Sequence, residues 1–307
     1  MVGPTRAALT CALVTVGLAA GCGTSAPPTP SSPAAYHARL SWAGVVAGLR
    51  PTLDPSSANP CQRGNLSCFD ILLGEMARRA RPLIAACSHD AAFAVTYEEM
   101  TAALRAAARS GRFRNPALLT LFSAWFAQMY FQAFDSWRAG RYGAVPTAWQ
   151  VAFGAADGRK VTGIGDMLLG MNAHITHDLP NVVADVMREP GTAVNPDYAL
   201  VSQIITAVSP SVLRDVGNHF DASVSLAQIP IELGGAASFG ALIAQWRTES
   251  WRNGIALRAA APAARAGVEQ RVAATADLRA ALIRSATAYL PFIESSTRRD
   301  AYCASHH

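Results

Sequence analysis

Within 25 residues, Gly165 to Glu189, the chain reads GDMLLGMNAHITHDLPNVVADVMRE and gathers Asp166, Asn172, His174, His177, Asp178, Asn181 and Asp185. His174 and Asp178 stand one helical turn apart, so an imidazole nitrogen and a carboxylate oxygen can meet a single divalent ion such as zinc at about 2.0–2.2 Å. His177, Asp166 or a distant His89 or His219 would complete the ligand set. The metal would then acidify a bound water, and Asp185 could take the proton. The same residues allow chemistry without a metal. His174 would act as general acid or base, Asp178 would fix its tautomer, and Asn172 would hold a substrate or a backbone group. The third reading needs no reaction: Asn172, His174 and Asp178 hydrogen-bond to one another and to neighbouring helices, in a domain whose role is structural or ligand-binding. This last role is the one expected here, with the metal-dependent hydrolase and the metal-free enzyme as alternatives.

These residues must be carried by a helix. At about 100° per residue, Asp166, His174, His177, Asp178, Asn181 and Asp185 share one arc. Leu168, Met171, Ile175, Leu179, Val182 and Val186 fill the other, and Asn172 falls on this apolar side, where it must be satisfied internally. The segment reads as an amphipathic helix without a basic residue between Lys160 and Arg188. Pro180 removes the amide that would bond to the Thr176 carbonyl and should bend the helix beside His174, His177 and Asp178.

The flanking elements are also helical in pattern. Ala38 to Leu49 reads as a short helix, and Cys68 to Cys87 as one kinked or broken at Pro82. Thr96 with Glu99 reads as a capping box opening a helix that stops at Gly111. Asn115-Pro116 starts a helix to about Arg138 with a broad stripe of aromatic residues, the expected central core helix. One short helix fits between Val145 and Ala155. Asn195-Pro196-Asp197 opens a helix to about Val208, Ser209-Pro210 another through His219, and Ser238 to Ala261 and Ala264 to Leu290 two more. No period-two alternation is long enough to argue for a sheet. The expected fold is all-α, one bundle-like domain of about eight to ten helices.

Composition sets the setting. The 307 residues are 51% hydrophobic and 15% charged, enough for one large core, with a formal charge of +5. The Arg residues are scattered, with Arg78, Arg79 and Arg81 the tightest group, and no aromatic and basic interleaving marks a nucleic-acid partner. Arg6, the apolar run Ala7 to Ala20 and the ending Leu18-Ala19-Ala20-Gly21-Cys22 form an export signal. Small residues running into Cys22 resemble the lipobox of bacterial lipoproteins, with Ala19 where Leu is usual. The expectation is a leader over 1–21, lipidation (palmitate included) at Cys22, a Pro/Ser-rich tether over 22–35, and a helical domain over 36–307 held at the outer face of the cell membrane. Cleavage by the ordinary signal peptidase would give a secreted form instead. The membrane, through the lipid anchor, and a small-molecule or lipid ligand are the expected partners. Export leaves Cys61, Cys68, Cys87 and Cys303 in an oxidising compartment, and the favoured pairing is Cys61 with Cys68 and Cys87 with Cys303.

Several stretches carry a resemblance: Phe93, Tyr97 and Thr101, then FAQMYFQAF, PTAWQVAF and GMNAHITHDLP, then Asn195 to Ile205 and Trp251. Over about residues 90–255 the chain resembles an actinobacterial domain-of-unknown-function family, number 5995, marked by a GMNAHIN-x-DLP helix. Thr176 stands where that pattern has Asn, and Glu249 where a basic residue is expected. The resemblance implies a helical fold and a shared site at Asn172, His174 and Asp178, without an activity. The HxxxD spacing is also similar to that of zinc-dependent phospholipase C, although Val182 and Ala184 replace that group's Pro and His.

Overall fold

Proline and small polar residues punctuate the chain into helices, and the buried faces of those helices converge on the His-bearing segment. The computed structural model describes residues 49–187, 193–226, 238–289 and 295–306. The leader, Cys22, the tether and the short helix expected from Ala38 lie outside these residues, apart from Leu49.

The elements are α1 (Cys68–Ala85), α2 (Ala91–Arg109), α3 (Pro116–Arg138), a 3-10 turn (Tyr142–Ala144), α4 (Thr147–Asp157), α5 (Gly163–Asn172), a π-helical turn (Ala173–Asp178), α6 (Leu179–Val186), α7 (Pro196–His219), α8 (Ser223–Leu226), α9 (Phe239–Ala259), α10 (Pro262–Ala286) and α11 (Ser296–Ser305). Among the described residues there is no strand, only an isolated bridge between Val161 and Ala288. With α5, the π turn and α6 taken as one rod and the four-residue α8 set aside, the described residues form nine helices in an all-α fold.

The rod is the axis of the domain. Helices α2, α4 and α10 pack on α5, α9 and α10 on the π turn, and α3 and α9 on α6. Every residue from Val161 to Val183 is buried. This corrects the amphipathic reading: the polar arc faces other helices rather than water. Close approach of α9 needs Gly254, where a Cβ would lie 2.5 Å from Val183 and 2.8 Å from the Pro180 carbonyl oxygen.

Local chemistry explains several boundaries. The Asn115 side chain accepts from the Leu118 amide at 2.9 Å, and Asn195 caps α7 through the Asp197 and Tyr198 amides. Helix α2 starts at Ala91 rather than at Thr96, whose hydroxyl instead donates to the Ala92 carbonyl from inside the helix. Helix α1 runs through Pro82 to Ala85. Helix α7 likewise continues through Pro210 where two helices were expected. Val201, Ile204, Ile205, Val212 and Val216 on both sides of that proline are buried, and their shared packing outweighs one lost backbone hydrogen bond. Just before the rod's own proline the helix takes a π-helical turn. The Ser250 hydroxyl donates to the Ile175 carbonyl at 2.6 Å, and the Asn181 amide to the His177 carbonyl at 3.0 Å, so carbonyls of this irregular turn are satisfied by side chains.

Both cysteine pairs form as expected. Cys61–Cys68 closes a short loop, and Cys87–Cys303 joins the end of α1 to α11 across 216 residues. Helix α11, unexpected from sequence, is also held by Arg299, which donates to the Cys87 and Ser88 carbonyls.

Two outcomes test this packing. Adding a methyl group in Gly254→Ala overpacks the α9–rod contact at a cost of about 1–3 kcal/mol, more than the roughly 1 kcal/mol that alanine returns to the helix; the melting temperature falls. The Cys87→Ser/Cys303→Ser double variant loses about 2–5 kcal/mol in chemical denaturation, and amides of α11 exchange faster than those of α9.

Candidate functional site

The rod positions its polar groups in four separate environments. At the first, Asp178 is fully buried and its carboxylate takes three donors: Trp149 Nε1 from α4 at 2.9 Å and His174 Nδ1 at 3.2 Å on Oδ2, and His177 Nδ1 at 2.8 Å on Oδ1. Neighbouring residues do not face each other on an α-helix. The His177–Asp178 bond, between adjacent residues, forms within the π turn. Burial works against the charge on Asp178, but the hydrogen bonds from His174 and His177 together hold its carboxyl below the usual range.

A carboxylate can only accept, so His174 carries its proton on Nδ1 and presents a bare lone pair at Nε2. Burial lowers its pKa, against the pull of Asp178, and keeps the ring neutral. Phe126 stacks on the imidazole, with centroids 3.5 Å apart and planes at 5°, and Tyr97 meets it edge-on at 4.5 Å. His174 is 1% exposed, and Nε2 has no hydrogen-bond partner among the described residues.

His174 lies on the wall of an apolar cleft of about 850 Å³, its open mouth included. Helices α2, α3, α7 and α9 enclose it through Tyr97, Leu104, Phe122, Phe126, Val201 and Ile243, among others. Arg247 of α9 also lines the cleft while only 3% exposed. Sequence reading missed this residue. Its signal was its spacing, since Ile243, Arg247, Ser250 and Gly254 follow one another along the buried face of α9.

The remaining expected site residues lie elsewhere. Asn172 is wholly buried and donates to the Ala276 carbonyl of α10 at 2.8 Å, so it braces two helices and does not line the cleft. Asp166 pairs with His89 at 2.7 Å in a second buried cluster, where His89 Nε2 also lies 3.3 Å from Asp300 of α11. Burial pushes the Asp166 carboxyl up to about 6 against the opposing pull of His89. Asp185 accepts from Trp125 Nε1 at 3.2 Å, and His219 is exposed with Nδ1 on the Asp215 carbonyl. The expected metal set of His174, His177, Asp178 and Asp166 is therefore divided. Both oxygens of Asp178 are engaged by nitrogen donors, Asp166 is committed to His89, and among the described residues no three His, Cys, Asp or Glu side chains are placed to share an ion. The physical reason is that a helical wheel orders residues around an axis but does not say which neighbour each direction meets.

What the arrangement offers chemically is a neutral, oriented imidazole on the wall of an apolar space, with one ring nitrogen unpartnered among the described residues and a buried guanidinium in the same lining. No curated protein and no solved structure matches the chain. Residues 70–286, spanning α1 to the end of α10, match the Family of unknown function (DUF5995). The chain, with its buried His174–Asp178 pair on the rod, belongs to that family.

Proposed function

We propose that this domain binds an apolar small molecule in the cleft between α2, α3, α7 and α9, with His174 accepting a hydrogen bond from the ligand. The observation that carries this reading is His174 Nε2, a buried acceptor without a partner among the described residues, on the wall of that cleft. A buried acceptor left bare costs about 1–3 kcal/mol, and a donor on a bound ligand relieves that cost. The cleft has the largely apolar lining, with a few polar groups, of a small-molecule site. Export and anchoring at the outer face of the cell membrane through Cys22 belong to the same proposal. The leader-like start supports them, as do two disulfides of the kind that persist in oxidising compartments.

One observation favours a second reading. Asp178 fixes the tautomer that leaves Nε2 basic, which is the arrangement a metal-free general base requires. The two readings part on the fate of the ligand: a binding domain returns it unchanged by mass spectrometry, and an enzyme does not.

Titration of the full chain with the neutral dye Nile red should give saturable fluorescence enhancement, and Ser123→Trp, which fills the cleft from α3, should abolish it while the melting temperature stays near wild type. Non-saturable enhancement, or equal binding by both proteins, removes the cleft as the site. The neutral state of His174 has its own signature. Its folded pKa lies below the unfolded value of 6.5, so the unfolded chain takes up the proton first and stability falls as pH drops below about 6.5. Between pH 7 and 5 the melting temperature of His174→Gln should fall less steeply than that of wild type.

A further inference from the structure

Arg247 is a buried cation without an anion among the described residues. Its Nε donates to the Ser202 hydroxyl at 2.9 Å, and its guanidinium lies 4.4 Å from the centroid of the Tyr198 ring. Among the described residues the other four N–H donors have no acceptor, and no carboxylate is paired with the guanidinium. A guanidinium keeps its charge even when buried, so this arrangement is costly until an anion arrives. Asp197, also on the wall, does not serve: both its oxygens accept backbone amides, from Arg114 at 2.9 Å and Asn115 at 2.7 Å. Among the described residues no other Arg or Lys lines the cleft, and the charge of Arg247 is close enough to His174 to help depress that imidazole's proton affinity.

We propose that the cleft selects a long-chain carboxylate, with the hydrocarbon along the apolar wall and the carboxylate on the Arg247 guanidinium. This rests on the cleft being the ligand site but not on the contact to His174, which a separate hydroxyl of the ligand would make. A carboxylate fits better than a phosphate ester. One planar fork matches one carboxylate in charge and shape, while a phosphate would bring a second negative charge into a cleft that also holds Asp197, with no second cation among the described lining residues to meet it. The bland alternative is that Arg247 only braces α9 against α7: it stacks on Tyr198, whose hydroxyl donates to the Arg247 carbonyl at 2.6 Å. A bracing role gives no preference among ligand head groups, and that separates the two.

The test is displacement of Nile red from the full chain at pH 7.5 by dodecanoate, 1-dodecanol and dodecyl phosphate. Dodecanoate should displace the dye at roughly 10- to 100-fold lower concentration than 1-dodecanol, the range expected of a charge-assisted hydrogen bond, and at lower concentration than dodecyl phosphate. Arg247→Gln should bring dodecanoate to the level of 1-dodecanol and leave 1-dodecanol unchanged, and Arg247→Lys should restore part of the preference. Equal displacement by dodecanoate and 1-dodecanol in the wild type overturns the proposal, as does a preference for dodecyl phosphate or a preference that survives Arg247→Gln. The wild-type comparison requires no variant to fold. If the carboxylate preference fails while 1-dodecanol still displaces the dye, the cleft stands as a ligand site; if no dye binds at all, both readings fall.

Discussion

The domain depends on one buried carboxylate. Asp178 lies at the centre of the rod with no access to water, and three ring N–H groups, from Trp149, His174 and His177, compensate its charge. Removing such a partner leaves an uncompensated charge in the interior, at a cost of several kcal/mol. The same bonds fix α4 to the π turn and set the tautomer of His174, a residue of the cleft wall. Structural and functional readings of this cluster are therefore not rivals. The groups that brace the helices are also the ones that orient the imidazole.

Around this point the rod is sheathed on every side, and its polar residues are distributed among different neighbours. Asn172 goes to α10, Asp166 to His89, and Asp185 to Trp125. The two positions where the chain departs from the pattern of the family it resembles also meet. Arg279 of α10 donates to the Thr176 hydroxyl at 2.5 Å and to Glu249 of α9 at 2.8 Å. A basic residue at 249 would repel that guanidinium, so Arg279 gives both departures a common physical reason.

Much of this was readable before any coordinates. Asn-Pro pairs at 115 and 195 announced helix starts because an Asn side chain satisfies the first amides and proline needs no partner there. An even number of cysteines beyond the leader-like segment suggested two bonds, and both formed as favoured. His174 and Asp178 could be paired by their spacing alone. Other features depend on tertiary contacts. Pro210 was read as a stop, but packing on both sides carries α7 through it. The π turn depends on Ser250 from α9, 75 residues further along the chain, to satisfy the Ile175 carbonyl. Arg247 looked like one more scattered arginine, and only the packing of α9 against α7 and the rod turned it into an interior charge.

The Cys87–Cys303 bond has a mechanical consequence. It spans nearly all of the helical bundle, from the end of α1 to α11, so the backbone between these residues is a closed ring. A single protease cut inside that ring opens it without separating its pieces. A nicked copy would keep both fragments in place around the rod and come apart only when a reductant breaks the sulfur link.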